Sequence, residues 1–111
     1  MPEAVRVVLD TNVLLSLFVF ADSRYAPLRA RLEAGGLIAL TDARCLGEFR
    51  RVLAYPMFSL DDDAQGAAFG SFARHAAIIA ATADPVPLPE CKDADDQKFL
   101  EVARDGQARW L

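Results

Sequence analysis

Residues 5–16 read V-R-V-V-L-D-T-N-V-L-L-S. Val5, Val7, Val8 and Leu9 form a short, mostly β-branched run of the kind that fits a buried strand. Asp10 ends that run, and Thr11-Asn12 turn the chain into a second apolar stretch, Val13-Leu14-Leu15. An acid at the carboxyl end of a buried strand occupies the position where open α/β sheets place their ligand sites. Asp10, Thr11 and Asn12 are equally good helix N-caps, so a purely structural role stands beside the functional one.

Working outward, the spacing predicts a helix from Thr11 to about Phe20, apolar nearly all round and therefore buried. Pro27 suits the first turn of a second helix running to about Ala34, and Gly35-Gly36 supplies its stop. Leu37-Ile38-Ala39-Leu40 reads as a second strand. Thr41-Asp42 opens a third helix, with Leu46, Phe49, Val52 and Leu53 at helical spacing and Pro56 as its limit. Ser59 or Asp61 can cap a fourth helix, which carries Phe69, Phe72 and Ala76 on one face and is weakened by Gly66 and Gly70.

A short third strand is expected around Ile78-Ile79, followed by a stiff connector, D-P-V-P-L-P, at residues 84–89. Asp93 then opens a last helix through Phe99, Leu100 and Val102-Ala103, which Gly106 ends, and Ala108 to Leu111 begins a further strand. Strands alternating with helices imply a mostly parallel sheet covered on both faces, a three-layer α/β/α sandwich. Residues 1–111 form one domain, a size that buries roughly two-thirds of the unfolded chain's surface.

Composition narrows the function classes. At 53% hydrophobic and 25% charged, the chain is too apolar for disorder. Its apolar runs are far shorter than the ~20 residues needed to span a bilayer. The N-terminus lacks the pattern of a signal peptide, so a cytoplasmic protein without membrane contact is expected. Cys45 and Cys91, with His75, supply too few ligands for a zinc site and are read as reduced structural thiols. A net charge of −4 argues against coating nucleic acid by bulk charge. It leaves room for an enzyme that meets a phosphodiester through bound cations, which reverse the local field. Arg44, Arg50 and Arg51 could grip phosphate with their planar forks, although a solvated helix face also accounts for them.

Three acidic positions fall where the predicted sheet would gather them: Asp10, Glu48 and the D-A-D-D run at 93–96. Helices that follow parallel strands start at the strands' carboxyl ends, so all three can converge on one edge. Carboxylates collected without Lys or Arg partners repel one another, and a hard divalent cation, Mg²⁺ or Mn²⁺, offsets that repulsion. Such an ion lowers the pKa of a water and steadies a phosphodiester under in-line attack. Thr11 or Asn12 could orient Asp10 or the water. Each acid also has a structural reading: Asp93 with Asp96 resembles an N-cap with an acid at N3, Glu48 a solvated helix residue, and Asp61-Asp62-Asp63 a capped helix start.

The three motifs together resemble the PIN-domain family. V-V-L-D-T-N-V-L-L-S is similar to its first motif, with Asp10 as the acid. T-D-A-R-C-L-G-E-F-R-R-V-L is similar to the second, with Glu48. C-K-D-A-D-D-Q-K-F-L-E-V-A is similar to the third, with Asp96 in the ligand position before F-L-x-x-A and Asp93 as an additional acid. The resemblance implies a metal-dependent ribonuclease with Asp10, Glu48 and Asp96 as catalytic acids. The same three with Asp93 would hold Mg²⁺ or Mn²⁺, and single-stranded RNA would be the substrate. It further implies a toxin component of a toxin–antitoxin pair, homodimeric and restrained by an antitoxin protein.

The family's fourth acidic motif would lie beyond Arg109-Trp110-Leu111, so a C-terminally truncated sheet with weakened or lost nuclease activity is expected, whether the protein is naturally short or cut from a longer product. A second reading is a catalytically silent PIN-like module that binds an antitoxin or RNA. A haloacid-dehalogenase-like phosphotransferase also opens with a strand-end Asp. It needs a general acid two residues on, where this chain has Asn12.

Overall fold

The computed structural model describes residues 4–80, 88 and 96–108. Strand β1 (Val5–Val8) lies parallel to β2 (Leu37–Thr41), with Val5 opposite Leu37 and Val8 opposite Leu40. On its other edge β2 pairs, again in parallel, with β3 (Ala76–Ile78), placing Ala76 opposite Ala39. The sheet order β1-β2-β3 makes β2 the central strand, and Leu37, Ala39, Leu40 and Thr41 are all buried. A central parallel strand is covered on both faces, hence its unbroken apolar sequence.

The five helices are α1 (Thr11–Phe18), α2 (Ala26–Glu33), α3 (Ala43–Leu53), α4 (Asp62–His75) and α5 (Gln97–Asp105). Three begin on an aspartate whose carboxylate accepts a backbone N–H, satisfying a donor the helix leaves open. Asp10 accepts from Val13 at 2.9 Å, Asp42 from Cys45 at 2.9 Å and Asp61 from Ala64 at 2.7 Å. Of the two caps proposed for the fourth helix, Asp61 is the one used. Gly35 takes φ +83° just past α2, the left-handed turn that favours glycine.

Strand alternation sends Val7 and Ala39 into one apolar cluster and Val8 and Leu40 into another. The first is closed by Leu14, Leu15 and Leu17 of α1, Leu32 of α2, Phe49 and Leu53 of α3 and Phe72 of α4. Within it Phe49 meets Phe72 edge-on at 5.7 Å between ring centroids and stacks on Phe69 at 6.2 Å. On the opposite side, Phe99 and Val102 of α5 close the second cluster together with Cys45. Helices on both faces of a parallel sheet confirm the α/β/α architecture expected from the sequence.

Two local expectations change. Helix α1 stops at Phe18, and Phe20 lies beyond it, more than half exposed, with Ala21 at a left-handed φ of 48°. Ala76, assigned to the apolar face of α4, is instead the first residue of β3, where pairing with Ala39 captures it. The expected start of the last helix at Asp93, the connector at 84–89 apart from Leu88, and the strand from Ala108 lie wholly or mostly outside the described residues. Among the described residues no helix is long and apolar enough to cross a membrane.

Gly106 ends α5 with an ordinary right-handed φ of −92°, so its backbone does not require glycine. Space does. A Cβ there would lie 2.6 Å from Cδ1 of buried Leu40, 3.1 Å from Cγ1 of Ile79 and 3.1 Å from the Val102 carbonyl oxygen. Gly106→Ala should therefore destabilise the fold by about 1–3 kcal/mol, the usual cost of overpacking a filled core. Urea denaturation checks this, and an unchanged midpoint would contradict the close packing.

Candidate active site

Because β1 and β2 are parallel neighbours, the helices that follow them start at the same edge of the sheet. Asp10 leaves β1 in an extended conformation (φ −74°, ψ 169°) and caps α1 through Oδ1. Thr11 begins that helix and turns its hydroxyl to Glu48, donating to Oε2. Thr11 thus orients the second acid, beside the expected part for Thr11 or Asn12 of orienting Asp10 or the water. Asn12 is exposed, and its carbonyl accepts the Ser16 hydroxyl at 3.2 Å.

Glu48 sits in the second turn of α3, within reach of α5 across the edge. Lys98 Nζ donates to Glu48 Oε1 at 2.9 Å, and both side chains are largely buried, with 13% and 19% of their surface exposed. The expectation that the acids gather without basic partners is corrected here, because Glu48 is paired. Burial works against its charge. Hydrogen bonds from Thr11 and Lys98, with the charges of Lys98 and Arg51, outweigh that and hold its carboxyl below the usual range.

The sign of the resulting pH dependence follows directly. A carboxyl depressed in the folded state stabilises the fold above its unfolded value, about 4.3. That contribution is lost as pH falls through the folded value. Glu48→Gln should flatten the acid limb of stability below about pH 4.3, read by urea midpoints across that range. A variant limb as steep as the wild type's would show that the pair is not responsible.

Asp96 precedes α5 and is exposed. Its carboxylate makes no capping hydrogen bond to α5, and the reading of Asp93 as N-cap with Asp96 at N3 lies mostly outside the described residues. Asp10 and Asp96 line the same cleft, of about 370 Å³, whose other walls include Val13, Tyr25, Leu28 and Phe99. Neither acid forms an ion pair among the described residues. The third sequence-predicted acid, Glu48, joins this edge through Thr11 and Lys98. Asp93 lies outside the described residues.

Among the described residues no group of three or more His, Cys, Asp or Glu side chains is placed to hold a metal ion. The donor chemistry of two acids nonetheless fits one. Asp10 and Asp96 present hard oxygen donors on a shared cleft, suited to Mg²⁺ or Mn²⁺. Both Glu48 oxygens are already engaged.

Two residues here escaped the sequence reading. Lys98 lies in the third motif itself, two positions after Asp96. Tyr25 borders the cleft next to Arg24, whose guanidinium carbon lies 6.0 Å from the Tyr25 ring centroid. An aromatic beside an Arg was the available signal. Cys45 is buried, and burial together with the Asp42 charge pushes its thiol up to about 12, which agrees with a structural thiol. Arg44 bonds Asp42 and Glu101, both at 2.7 Å, and Arg50 lies over the Phe69 ring, so these two are held by the protein itself.

Asp10, after β1, and Asp96, at the start of α5, thus share one cleft of a parallel α/β/α sheet, and one family model matches this chain. The PIN-domain model matches residues 6–111, and the chain belongs to the PIN-domain family. PIN domains are generally metal-dependent nucleases. No curated protein and no solved structure gives a significant match.

Proposed function

We propose that this protein is a metal-dependent ribonuclease that cleaves single-stranded RNA. One observation carries the reading: Asp10 and Asp96, far apart in the chain, line one cleft with carboxylates that form no ion pair among the described residues. Catalysis is assigned to Asp10, Glu48 and Asp96, with Mg²⁺ or Mn²⁺ held by Asp10 and Asp96, and by Asp93 as the family resemblance implies. The bound cation supplies Lewis acidity and charge for in-line attack on the phosphodiester. The residues of the chain do the rest. Val13 N–H pins one oxygen of Asp10, Thr11 and Lys98 fix Glu48, and Tyr25 offers a ring on which a base can stack. Stacking of that kind suits an unpaired strand better than a duplex, whose bases are already covered.

A role as the toxin of a toxin–antitoxin pair, a homodimeric state, an antitoxin protein as partner and a cytoplasmic setting extend this reading, and the family resemblance supports them. Incubation of end-labelled single-stranded RNA with the protein and Mg²⁺, Mn²⁺ or EDTA tests the core of it. Cleavage with either metal, absent in EDTA and weaker on duplex RNA, is expected. Folded protein that leaves the RNA intact under all three conditions would reject the enzyme and favour a binding module.

A further inference from the structure

We infer that Arg51, on the Glu48 face of α3, grips a backbone phosphate of the RNA strand beside the cleavage centre. This rests on the functional reading above. Arg51 follows Glu48 by three residues, so the two side chains are neighbours on the helix surface. Helical side chains lean toward the N-terminus, and α3 begins at the strand-end edge that carries the candidate site. Arg51 leans that way: a terminal nitrogen of its guanidinium lies 3.6 Å from where a Cβ on Gly47 would stand, one turn back and next to Glu48. Gly47 has no side chain to cover that face, and Arg51 is exposed.

Its surroundings single out this arginine. Among the described residues Arg51 makes no hydrogen bond, ion pair or ring contact. Arg44 is bound to Asp42 and Glu101, Arg50 lies 4.3 Å from the centroid of the Phe69 ring, and Arg24 is paired with Asp22. The charge of Arg51 also reaches Glu48 and helps to hold that carboxyl ionised. A guanidinium has only donors, set in a planar fork that fits two phosphate oxygens at once. A polyanion entering the cleft meets the carboxylates of Asp10 and Asp96, and a cation beside them draws it in.

Arg31 supplies the control. It too is exposed and forms no ion pair among the described residues, but its carbonyl accepts the Gly36 N–H at 2.9 Å, at the start of β2 and away from the site. Anisotropy of an end-labelled single-stranded RNA, titrated with the full chain in Ca²⁺ between about 50 and 200 mM salt, reads the contact. Steady-state cleavage in Mg²⁺ reads it a second time. Arg51→Met removes the charge and should bind roughly tenfold more weakly, as for a lost hydrogen bond to a charged group. Its slope of log affinity against log salt should be shallower by about 0.7, one phosphate contact on a single strand. In cleavage KM should rise by roughly tenfold while kcat changes less than about threefold, the mark of a binding contact. Arg51→Lys should keep the wild-type salt slope, and Arg31→Met should match the wild type throughout.

An Arg51→Met protein that binds within about twofold of wild type overturns the inference. So does an Arg31→Met protein that loses as much, which would mean bulk charge. A fall in kcat alone in Arg51→Met also overturns it, since Arg51 would then act through Glu48. The functional reading fails separately. RNA that is bound through Arg51 but left intact in every metal rejects the nuclease and keeps the contact, whereas cleavage indifferent to Arg51→Met removes the contact and keeps the nuclease. A wild type that neither binds nor cleaves RNA overturns both.

Discussion

Asp10→Asn should leave the protein folded and abolish its EDTA-sensitive RNA cleavage. The two halves of this prediction come from two properties of one carboxylate. As a cap, Asp10 accepts the Val13 N–H through Oδ1, a task an asparagine oxygen performs about as well. As a ligand, it shares the cleft with Asp96 and supplies negative charge that a carboxamide lacks. Removing merely an outer partner of a metal site costs about 10–100-fold in affinity or activity. Loss of a direct ligand should exceed that, so kcat/KM is expected to fall by more than about 100-fold. Asp10→Ala sharpens the comparison, since it should lose the activity and also about 1 kcal/mol of stability with the cap. Urea midpoints for both variants, beside their cleavage rates, give the result. If Asp10→Asn cleaves as the wild type does, Asp10 is a cap and no more.

Phe49→Ala should cost about 3–5 kcal/mol of stability, as expected for truncating a buried aromatic. Phe49 is fully buried where α3 packs on the sheet, and its ring meets Phe72 edge-on and Phe69 stacked. Aromatic pairs of this geometry contribute beyond the area they bury. Since domains of this size hold together by roughly 5–15 kcal/mol, the variant should sit near the edge of folding. Guanidinium denaturation checks it, and a loss below about 1 kcal/mol would mean that the cavity collapses, contrary to the close packing seen here. The adjacent residue gives a contrast: Glu48→Gln keeps its neighbours and removes a charge, so its stability loss should be present above about pH 4.3 and fade as the pH falls.

What the sequence determined by itself was everything set by a few neighbouring residues. Asp10, Asp42 and Asp61 cap helices, Gly35 turns left-handed after α2, and the apolar runs at Val5–Val8 and Leu37–Thr41 become parallel strands. These follow from local propensity and short-range hydrogen bonds, which leave a pattern in consecutive residues. β3 was the faint one, because Ala76–Ile78 has no alternation to betray it, and pairing with β2 decides that Ala76 leaves the helix.

The candidate site divides in the same way. That Asp10, Glu48 and Asp96 can converge on one edge was legible, since Asp10 ends a predicted strand, Glu48 lies on the helix after the second strand and Asp96 falls in the run that starts the last helix. Their unequal roles were not. Lys98 reaches Glu48 across 50 residues and Thr11 across 37, distances at which no spacing rule says which side chains face each other. Only the docking of α5 against β1 and β2 brings the ammonium to Glu48 and leaves Asp10 and Asp96 to share the cleft. The kinds of charge at this edge are written in the sequence, but their pairing depends on how helices pack, and packing exists only in three dimensions.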